Sequence, residues 1–299
     1  MALHRFTFRA MAAQNELQVH ASRDGFAQQV ARAVFREVER IEAKYSRYRG
    51  GSVVSRINAG AGGAAVAIDE ETARLLDYAD ACWRESGGLF DATSGVLRRA
   101  WRFDVPRVPA DAELAPLLAL VGWGKVERTS TSVRLPLAGM ELDFGGFGKE
   151  YAADRAAAVL REQGIESALV NLAGDLVATA PAPGGDPWRI GIRHPRREGL
   201  AVARLAVHSG ALATSGDYER YFEAGGVRYC HLLDPRTGRP VSGMQSVTAL
   251  GESCLVAGTA TTVAMLLGES EGLAWLERLG LRHFSVRSDG TVVDATGTT

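Results

Sequence analysis

Apolar residues recur at steps of three and four between residues 22 and 45, while most positions between them are polar or charged. The recurring positions are Phe26, Val30, Val34, Val38, Ile41 and Tyr45. This spacing matches the period of an α-helix and predicts a long amphipathic helix. Ser and Asp are favoured at the N-cap, so Ser22 or Asp24 is expected to cap this helix.

Four further helices and six strands are predicted from the same kinds of pattern. The helices are expected at 70–83, after an Asp69 cap and before a Gly-Gly pair, and at 111–121, 149–164 and 253–267. The strands are expected at 132–143, 167–178, 188–193, 202–208, 227–233 and 246–250, with a hairpin turn at 225–226 and a loop at 181–187. Because hairpins are mixed with helices and strands do not alternate with helices, the sequence predicts an α+β fold.

Composition and charge exclude several classes of function. Of the 299 residues 46% are hydrophobic, and 34 basic against 35 acidic side chains give a formal net charge of −1. This balance argues against an electrostatic grip on nucleic acid or on an anionic membrane. Three widely spaced cysteines, no apolar leader and no long apolar run predict a cytoplasmic protein without a membrane span. The length allows one large domain or two interleaved ones.

A glycine-rich turn precedes the helix that is predicted to start at Lys149. Gly145, Gly146 and Gly148 would let backbone N–H groups converge on an anion, and the helix N-terminus adds positive charge. Lysine is rare here, since only three of the 34 basic residues are lysine. The pattern is neither a Walker A loop nor a dinucleotide-binding GxGxxG turn. It predicts either a phosphate site or a tight turn with an exposed lysine.

A second polar cluster lies between residues 215 and 240. A histidine beside carboxylates, here His231, is typical of a general base because imidazole titrates near neutral pH. A core histidine bonded to the backbone is the alternative interpretation. A serine hydrolase built from Ser215, His231 and Asp217 is a further hypothesis, although the chain has no GxSxG motif.

Seven ordered sequence blocks give the chain a resemblance to the ApbE family of FAD:protein FMN transferases, over about residues 8–270. The blocks are AMAAQ (10–14), YSRYRGGSVVSRIN (45–58), GGLFDATSGVL (87–97), LDFGGFGKEYAADRA (142–156), ALVNLAGD (168–175), ATSGDYERYF (213–222) and HLLDPRTGRPV (231–241). The resemblance implies a single α+β domain over residues 1–299, in which antiparallel sheets and packed helices form two interleaved subdomains around a flavin-binding cleft.

The same resemblance implies an activity and its partners. FMN would pass from FAD to a Ser or Thr hydroxyl of an acceptor protein, AMP would be the leaving group, and Mg²⁺ would lie on the pyrophosphate. The implied partners are therefore FAD and an acceptor with a Ser/Thr-containing flavinylation motif, and neither nucleic acid nor a membrane.

Individual residues also receive roles from the resemblance. His231 and Lys149 are implied to be catalytic, His231 as base or proton acceptor and Lys149 on phosphate. The backbone carbonyl of Gly148 and the hydroxyl of Thr262 match metal-ligand positions. The residues implied to bind FAD are Met11, Ser52, Asn58, Asp91, Gly145, Gly146, Lys149, Asp154, Gly174, Asp175, Ser215, Asp234 and Thr237.

The chain departs from the family pattern at three places. It has Lys-Glu at 149–150 where the family has Lys-Gly, and Ala-Gly-Asp at 173–175 where the family has Gly-Gly-Asp. Gly258 replaces an aspartate that is a magnesium ligand in the family, which predicts weaker metal binding because hard cations rely on anionic oxygen. Glu252 or Glu150 could supply the missing carboxylate. An FAD-binding protein or an FAD pyrophosphatase with little protein flavinylation is the alternative function.

The C-terminal sequence DATGTT (294–299) is close to the pattern of family acceptor sites, which have Ser/Thr-Gly-Ala-Ser/Thr after an acidic residue. Self-flavinylation is one interpretation of this similarity. We interpret the segment instead as a frayed polar terminus.

Overall fold

The computed structural model describes residues 1–295, so the interpretation of the tail at 296–299 lies outside the described residues. The helices are α1 (Asp24–Tyr45), α2 (Val53–Ala59), α3 (Glu70–Glu85), α4 (Asp111–Leu118), α5 (Gly148–Glu162), α6 (Cys254–Leu267) and α7 (Glu269–Arg278). The strands are β1 (Ala2–Ala10), β2 (Ala13–Ala21), β3 (Val66–Ala67), β4 (Glu127–Arg128), β5 (Ser132–Arg134), β6 (Ala168–Leu172), β7 (Asp175–Ala178), β8 (Trp188–Arg193), β9 (Ala201–Val207), β10 (Gly210–Gly216), β11 (Tyr221–Ala224), β12 (Val227–Cys230), β13 (Met244–Gly251), β14 (Arg282–Arg287) and β15 (Val292–Ala295).

The largest sheet in this part of the chain has eight strands in the order β1-β2-β6-β7-β10-β13-β14-β15. Each neighbouring pair is antiparallel. The strands β3, β5 and β4 form a small sheet, while β8-β9 and β11-β12 form separate two-stranded sheets. The predicted α+β fold with antiparallel sheets is therefore confirmed, and the segments outside the large sheet interleave with its strands along the chain.

The large sheet is covered on both faces. Ala211 and Ala213 of β10 pack in the main core together with α1, α5 and α6, whereas Leu212 between them packs against the β8-β9 hairpin. This alternation follows from the two-residue period of a strand. Four alanines of α5 are fully buried against its neighbours, which lets the helix approach closely; they are Ala152, Ala153, Ala156 and Ala157. None of the helices within residues 1–295 is long and apolar enough to cross a membrane.

Five helices lie close to where the sequence predicts them and differ at their ends, whereas α2 and α7 are not predicted. The N-cap of α1 is Arg23, whose side chain makes no capping bond, so the prediction of Ser22 or Asp24 is wrong. Asp24 is instead the first helical residue, where a negative charge favours the helix N-terminus. Asp69 caps α3 as predicted, by accepting a hydrogen bond from a backbone N–H of its first turn.

The sequence-based prediction makes some strands too long and misses several others, among them β1, β2, β10 and β14. The predicted strand at 132–143 ends at Arg134, because Pro136 has no N–H to donate and a turn follows. The segment 167–178 is two strands, β6 and β7, which a tight turn separates. The predicted strand at 227–233 ends at Cys230. The hairpin β1-β2 at residues 2–21 is absent from the sequence-based prediction.

Candidate active site

The N-terminus of α5 faces the turn between β6 and β7. Lys149 is the second residue of α5, and its Nζ lies 2.9 Å from Oδ2 of Asp175, the first residue of β7. The turn is tight because Ala173 and Gly174 both adopt positive φ, 51° and 102°. Burial lowers the pKa of the Lys149 ammonium, but the negative charges of Asp175, Glu150 and Glu219 together outweigh burial, so the pKa lies above its ordinary value. Lys149 therefore keeps its positive charge.

The glycine turn before Lys149 is closed by its own hydrogen bonds. The Gly145 N–H donates to Oδ1 of Asp143 at 2.9 Å, and the Gly148 N–H donates to the Phe144 carbonyl at 2.6 Å. Two of the N–H groups that the sequence appeared to offer to an anion are thus used within the turn. Lys149 remains the group at this turn that is able to contact phosphate.

Hydroxyl groups from β10 and α6 meet beside this ion pair. The Ser215 hydroxyl lies 2.9 Å from that of Thr261 and 3.1 Å from that of Thr262. The Thr261 hydroxyl also donates to the Gly258 carbonyl at 2.9 Å. The structure therefore brings together Ser215, a predicted FAD ligand, and Thr262, a predicted metal ligand, next to Gly258.

Glu150 lies in the same region with a buried carboxylate. Only 9% of the residue is exposed, and none of residues 1–295 forms a hydrogen bond with its Oε2. Burial, together with the negative charge of Asp175, raises the pKa of Glu150 to about 8. A buried polar atom without a partner has a physical explanation such as a bound water, an ion or a catalytic role.

His231 follows β12 and carries a second atom of this kind. Its Nδ1 is buried and has no hydrogen-bond partner within the described residues. Burial, together with the positive charges of Arg220, Arg98 and Lys149, lowers the pKa of His231 to about 4. The imidazole is therefore neutral at neutral pH and able to accept a proton. The backbone N–H of His231 pairs with the Arg220 carbonyl, but this bond leaves the ring Nδ1 unpaired.

The side chains proposed for a serine hydrolase are not assembled. A triad needs its nucleophile and its base in hydrogen-bond contact. Ser215 bonds instead to the two threonines of α6, and the carboxylate of Asp217 forms a two-fold ion pair with Arg196 at 2.6 Å. Neither Ser215 nor Asp217 forms a hydrogen bond with Nδ1 of His231. This geometry gives the hydrolase hypothesis no support.

Asp154 lies one turn further along α5 and holds the N-terminus of α6. Its carboxylate accepts hydrogen bonds from the Ser253 hydroxyl at 2.7 Å and from the N–H groups of Cys254 and Leu255 at 2.8 and 3.0 Å. Both oxygens are thus engaged with α6. The predicted contact of Asp154 with FAD stays a prediction, while the structure assigns this residue the positioning of the helix that carries Thr262.

Four residues predicted at the flavin end support loops around the site. Met11 adopts a positive φ of 53° in the β1-β2 turn, and the Ser52 hydroxyl caps α2 at 2.9 Å. The Asn58 amide bonds both backbone groups of Leu142, at 2.9 and 2.6 Å, just before the glycine turn. Asp91 accepts bonds from backbone N–H groups of two loops, at 2.7 and 2.8 Å. These contacts fix the backbone, and direct flavin contact remains a prediction for each residue.

The predicted ligands Asp234 and Thr237 share one turn. The Asp234 carboxylate accepts from the Arg236 backbone N–H and pairs with its guanidinium, both at 2.8 Å. The Thr237 hydroxyl accepts from a backbone N–H two residues on, at 3.2 Å. The indole N–H of Trp101 donates to the carbonyl of Gly238 at 2.7 Å. The turn is therefore built from its own side chains and held in place by a buried tryptophan.

Comparison with known proteins shows the family to which this chain belongs. The sequence model of the ApbE family matches residues 11–284. The chain belongs to the ApbE family. It is 33% identical over 299 residues to a FAD:protein FMN transferase of Rhodobacter capsulatus, covering 96% of this chain and 56% of that protein. It is 34% identical over 255 residues to a protein of the same name from Klebsiella pneumoniae, covering 83% of this chain and 79% of that protein.

Solved structures of ApbE proteins have the same fold. The ApbE protein of Thermotoga maritima superposes with a TM-score of 0.90 at 31% identity, covering 98% of this chain and 97% of that one. The apo form of the flavinyl transferase ApbE of Pseudomonas stutzeri gives a TM-score of 0.89 at 28% identity, covering 100% and 98%. The match to the Rhodobacter protein leaves nearly half of that protein outside the aligned region.

This ApbE-family chain also has an open cleft of about 610 Å³ that no sequence motif indicated. Guanidinium groups and aromatic rings line it, among them Arg98, Tyr48, Trp101 and Arg220. Arg98 bonds the Tyr48 hydroxyl at 2.7 Å and also pairs with Asp143 of the glycine turn. Rings and cations suit an anionic aromatic ligand. The sequence did not reveal this set because its members come from three separate segments without a common spacing.

The ApbE family implies a magnesium ion, so we asked whether the residues present fit one. Gly258 supplies no side-chain oxygen, and the described residues contain no group of three or more His, Cys, Asp or Glu side chains that could hold a metal. The Thr262 hydroxyl and the Gly148 carbonyl are neutral donors. A hard divalent cation binds through oxygen and favours carboxylates. The unpartnered carboxyl group of Glu150, which lies against Gly258, is a side chain that could supply the anionic oxygen of such a site.

Proposed function

We propose that this chain is an FAD:protein FMN transferase, which moves FMN from FAD to a Ser or Thr hydroxyl of an acceptor protein and releases AMP. Family membership over residues 11–284 and the names of relatives at 33% and 34% identity support the proposal. The observation that carries it in this chain is a charged Lys149 near a neutral His231 whose Nδ1 lacks a partner among the described residues.

His231 is proposed to accept the proton of the acceptor hydroxyl. The hydroxyl oxygen then attacks the phosphorus of the FMN half, a new O–P bond forms, and the bond between that phosphorus and the bridging oxygen breaks. The bridging oxygen leaves with AMP. Burial keeps the imidazole neutral in the free protein, and the negative charge of a bound pyrophosphate raises its pKa, which makes it a stronger base when substrate is present.

Lys149 is proposed to stabilise the negative charge that develops on the leaving phosphate. The Asp175 carboxylate holds the ammonium at 2.9 Å and so orients it before substrate binds. Mg²⁺, when bound, would neutralise further charge on the pyrophosphate, with the Thr262 hydroxyl, the Gly148 carbonyl and the Glu150 carboxylate as its protein ligands. Ser215 would support Thr262 through their 3.1 Å hydrogen bond.

An intact-mass assay tests this function. The purified chain is incubated with FAD, Mg²⁺ and a reporter protein that carries an acidic residue followed by Ser/Thr-Gly-Ala-Ser/Thr. We expect a reporter heavier by one FMN and an equal amount of AMP. His231→Ala should lower the rate by about 10²–10⁴-fold, the usual contribution of a general base, and His208→Ala, at an exposed histidine, should have no effect. A reporter of unchanged mass across a panel of acceptors and metals would refute the function.

A second function has one observation in its favour. Gly258 removes a family metal ligand, and a weakened metal site would favour FAD binding or FAD hydrolysis over transfer. The carboxylate of Glu150 beside Gly258 weakens this reasoning. Release of FMN and AMP from FAD without any acceptor would identify a pyrophosphatase, and a yellow protein that produces neither would identify a binding protein.

We further propose that the protein works in the cytoplasm. The three cysteines are free thiols, and two of them, Cys230 and Cys254, are buried. Free thiols are the rule in a reducing compartment. Cell fractionation with an antibody against the native protein would test the assignment, and recovery in an extracytoplasmic or membrane fraction would contradict it.

A further inference from the structure

Two departures from the family pattern lie against each other in space. The resemblance to the ApbE family implies Gly at 150 and Asp at 258, whereas this chain has Glu150 on α5 and Gly258 on α6. A β-carbon placed on Gly258 would lie 2.5 Å from Cγ of Glu150, 3.1 Å from its Cδ and 3.0 Å from its Oε1. The closest of these distances is shorter than any that real β-carbons show.

The two side chains therefore exclude each other. The carboxyl group of Glu150 lies where the first atoms of an aspartate at 258 would project from α6. A side chain at 258 would force Glu150 out of this position, and the burial of Glu150 leaves it little space to move. The chain has thus lost a carboxylate from α6 and gained one in the same volume from α5.

The carboxyl group of Glu150 lacks a partner among the described residues, and α6 carries a hydroxyl one turn after Gly258. Its Oε2 has no hydrogen-bond partner within residues 1–295, although the residue is nine-tenths buried. Thr262 lies one turn after Gly258 on α6, and residues four apart share one face of a helix. Ser215 fixes the Thr262 hydroxyl at 3.1 Å. A bound cation stabilises the ionised form of a buried carboxyl group.

We propose that Glu150 is the carboxylate ligand of the divalent cation in this chain and replaces the aspartate that the family has at 258. This inference rests on the proposed function for the presence of the cation. Glu252, the other acidic candidate, is exposed and precedes the first residue of α6, so it lies more than a helical turn from Gly258. The site takes a hard cation such as Mg²⁺, with Thr262 as a second ligand.

Metal binding measured without any acceptor tests the proposal. Mn²⁺ stands in for Mg²⁺, and the loss of the free Mn²⁺ signal in electron paramagnetic resonance reports binding to the chain, alone and with FAD. Glu150→Gln keeps the shape of the side chain and should raise the Kd for Mn²⁺ at least about tenfold. Glu252→Gln is the matched control and should leave the Kd unchanged. An unchanged Kd in Glu150→Gln, a weakened one in Glu252→Gln, or no Mn²⁺ binding by the natural chain in either state would overturn the proposal.

A pair of substitutions tests the exchange directly. Glu150→Gly combined with Gly258→Asp rebuilds the family arrangement and should bind Mn²⁺ within about threefold of the natural chain. Gly258→Asp alone should lower the melting temperature, and the same change in the Glu150→Gly background should not. Equal losses in both backgrounds would show that the two side chains do not compete for one volume, which would overturn the inference.

The two proposals fail in different ways. If Mn²⁺ binding depends on Glu150 but no reporter is flavinylated, the metal assignment stands and the transferase function fails. If Glu150→Gln transfers FMN at the full rate and binds Mn²⁺ normally, the function stands and the metal assignment fails.

Discussion

Replacing Asp154 should destabilise the protein by loosening α6. The carboxylate accepts three hydrogen bonds from the first residues of that helix, two of them from backbone N–H groups that the helix itself cannot satisfy. Hydrogen bonds to a charged acceptor contribute about 1.5–3 kcal/mol each, but they do not add fully and Asp154 is only half-buried. We expect Asp154→Ala to lower the free energy of unfolding by about 3 kcal/mol, and Asp154→Asn, which keeps one acceptor oxygen, by roughly half as much.

Thermal and urea unfolding measure this loss. A change of about 3 kcal/mol corresponds to a fall of roughly 6–12 °C in melting temperature for a protein of this size class. Glu252→Ala is the matched control, since Glu252 is an exposed acid just before the same helix, and its loss should cost no more than about 0.5 kcal/mol.

A loss below about 1 kcal/mol for Asp154→Ala would refute the reasoning, because it would mean that other groups satisfy the N-terminus of α6. A variant of natural stability that no longer binds FAD would assign Asp154 to the ligand, as the family resemblance implies. The measurement therefore separates positioning of α6 from direct contact with FAD.

Three further predictions follow from single contacts. Because burial lowers the pKa of His231 to about 4, the unfolded chain binds a proton between pH 6.5 and 4 that the folded chain does not bind. The free energy of unfolding, measured by urea titration, should therefore fall as the pH is lowered through this range. His231→Asn should reduce the fall. Gly146→Ala places a β-carbon 3.2 Å from the Phe90 ring and should lower the free energy of unfolding by about 1–2 kcal/mol. Gly25→Ala is the control, because Gly25 lies in α1 with open space around it, and this change should not destabilise the protein. Unchanged stability of Gly146→Ala would contradict the prediction. Trp101→Phe leaves the buried Gly238 carbonyl without its hydrogen bond and should lower the free energy of unfolding, measured by thermal melts, by about 1–3 kcal/mol. Equal stability of the variant and the natural chain would contradict this prediction.

Local signals in the sequence predicted much of the fold. The three- and four-residue spacing of α1 and the cap at Asp69 depend on neighbours along the chain, and both appear in the structure. The extent of β5 and the pairing of β1 with β2 depend on partners that only the assembled sheet provides, so the first was overestimated and the second was missed. The family blocks located Lys149 and His231, because these residues lie in short, specific motifs.

The contact on which the proposed metal ligand depends was beyond such reasoning. The sequence left both Glu150 and Glu252 as candidates to replace the missing carboxylate. Glu150 lies far from Gly258 along the chain, and Glu252 lies outside the helix that contains Gly258. Packing of α5 against α6 brings residue 150 to residue 258, and no periodicity connects two helices separated by almost a hundred residues. The cleft around Arg98 was missed for the same reason.

The collision between residues 150 and 258 also restricts the order in which this site could have evolved. A chain with the family pair, Gly at 150 and Asp at 258, reaches the present pair by two substitutions. Acquiring Glu150 first places two carboxyl groups in one volume and strains the packing of α5 on α6. Acquiring Gly258 first avoids the collision, because glycine leaves the volume open for the later entry of Glu150. The route without steric strain therefore passes through a chain in which neither side chain occupies this volume.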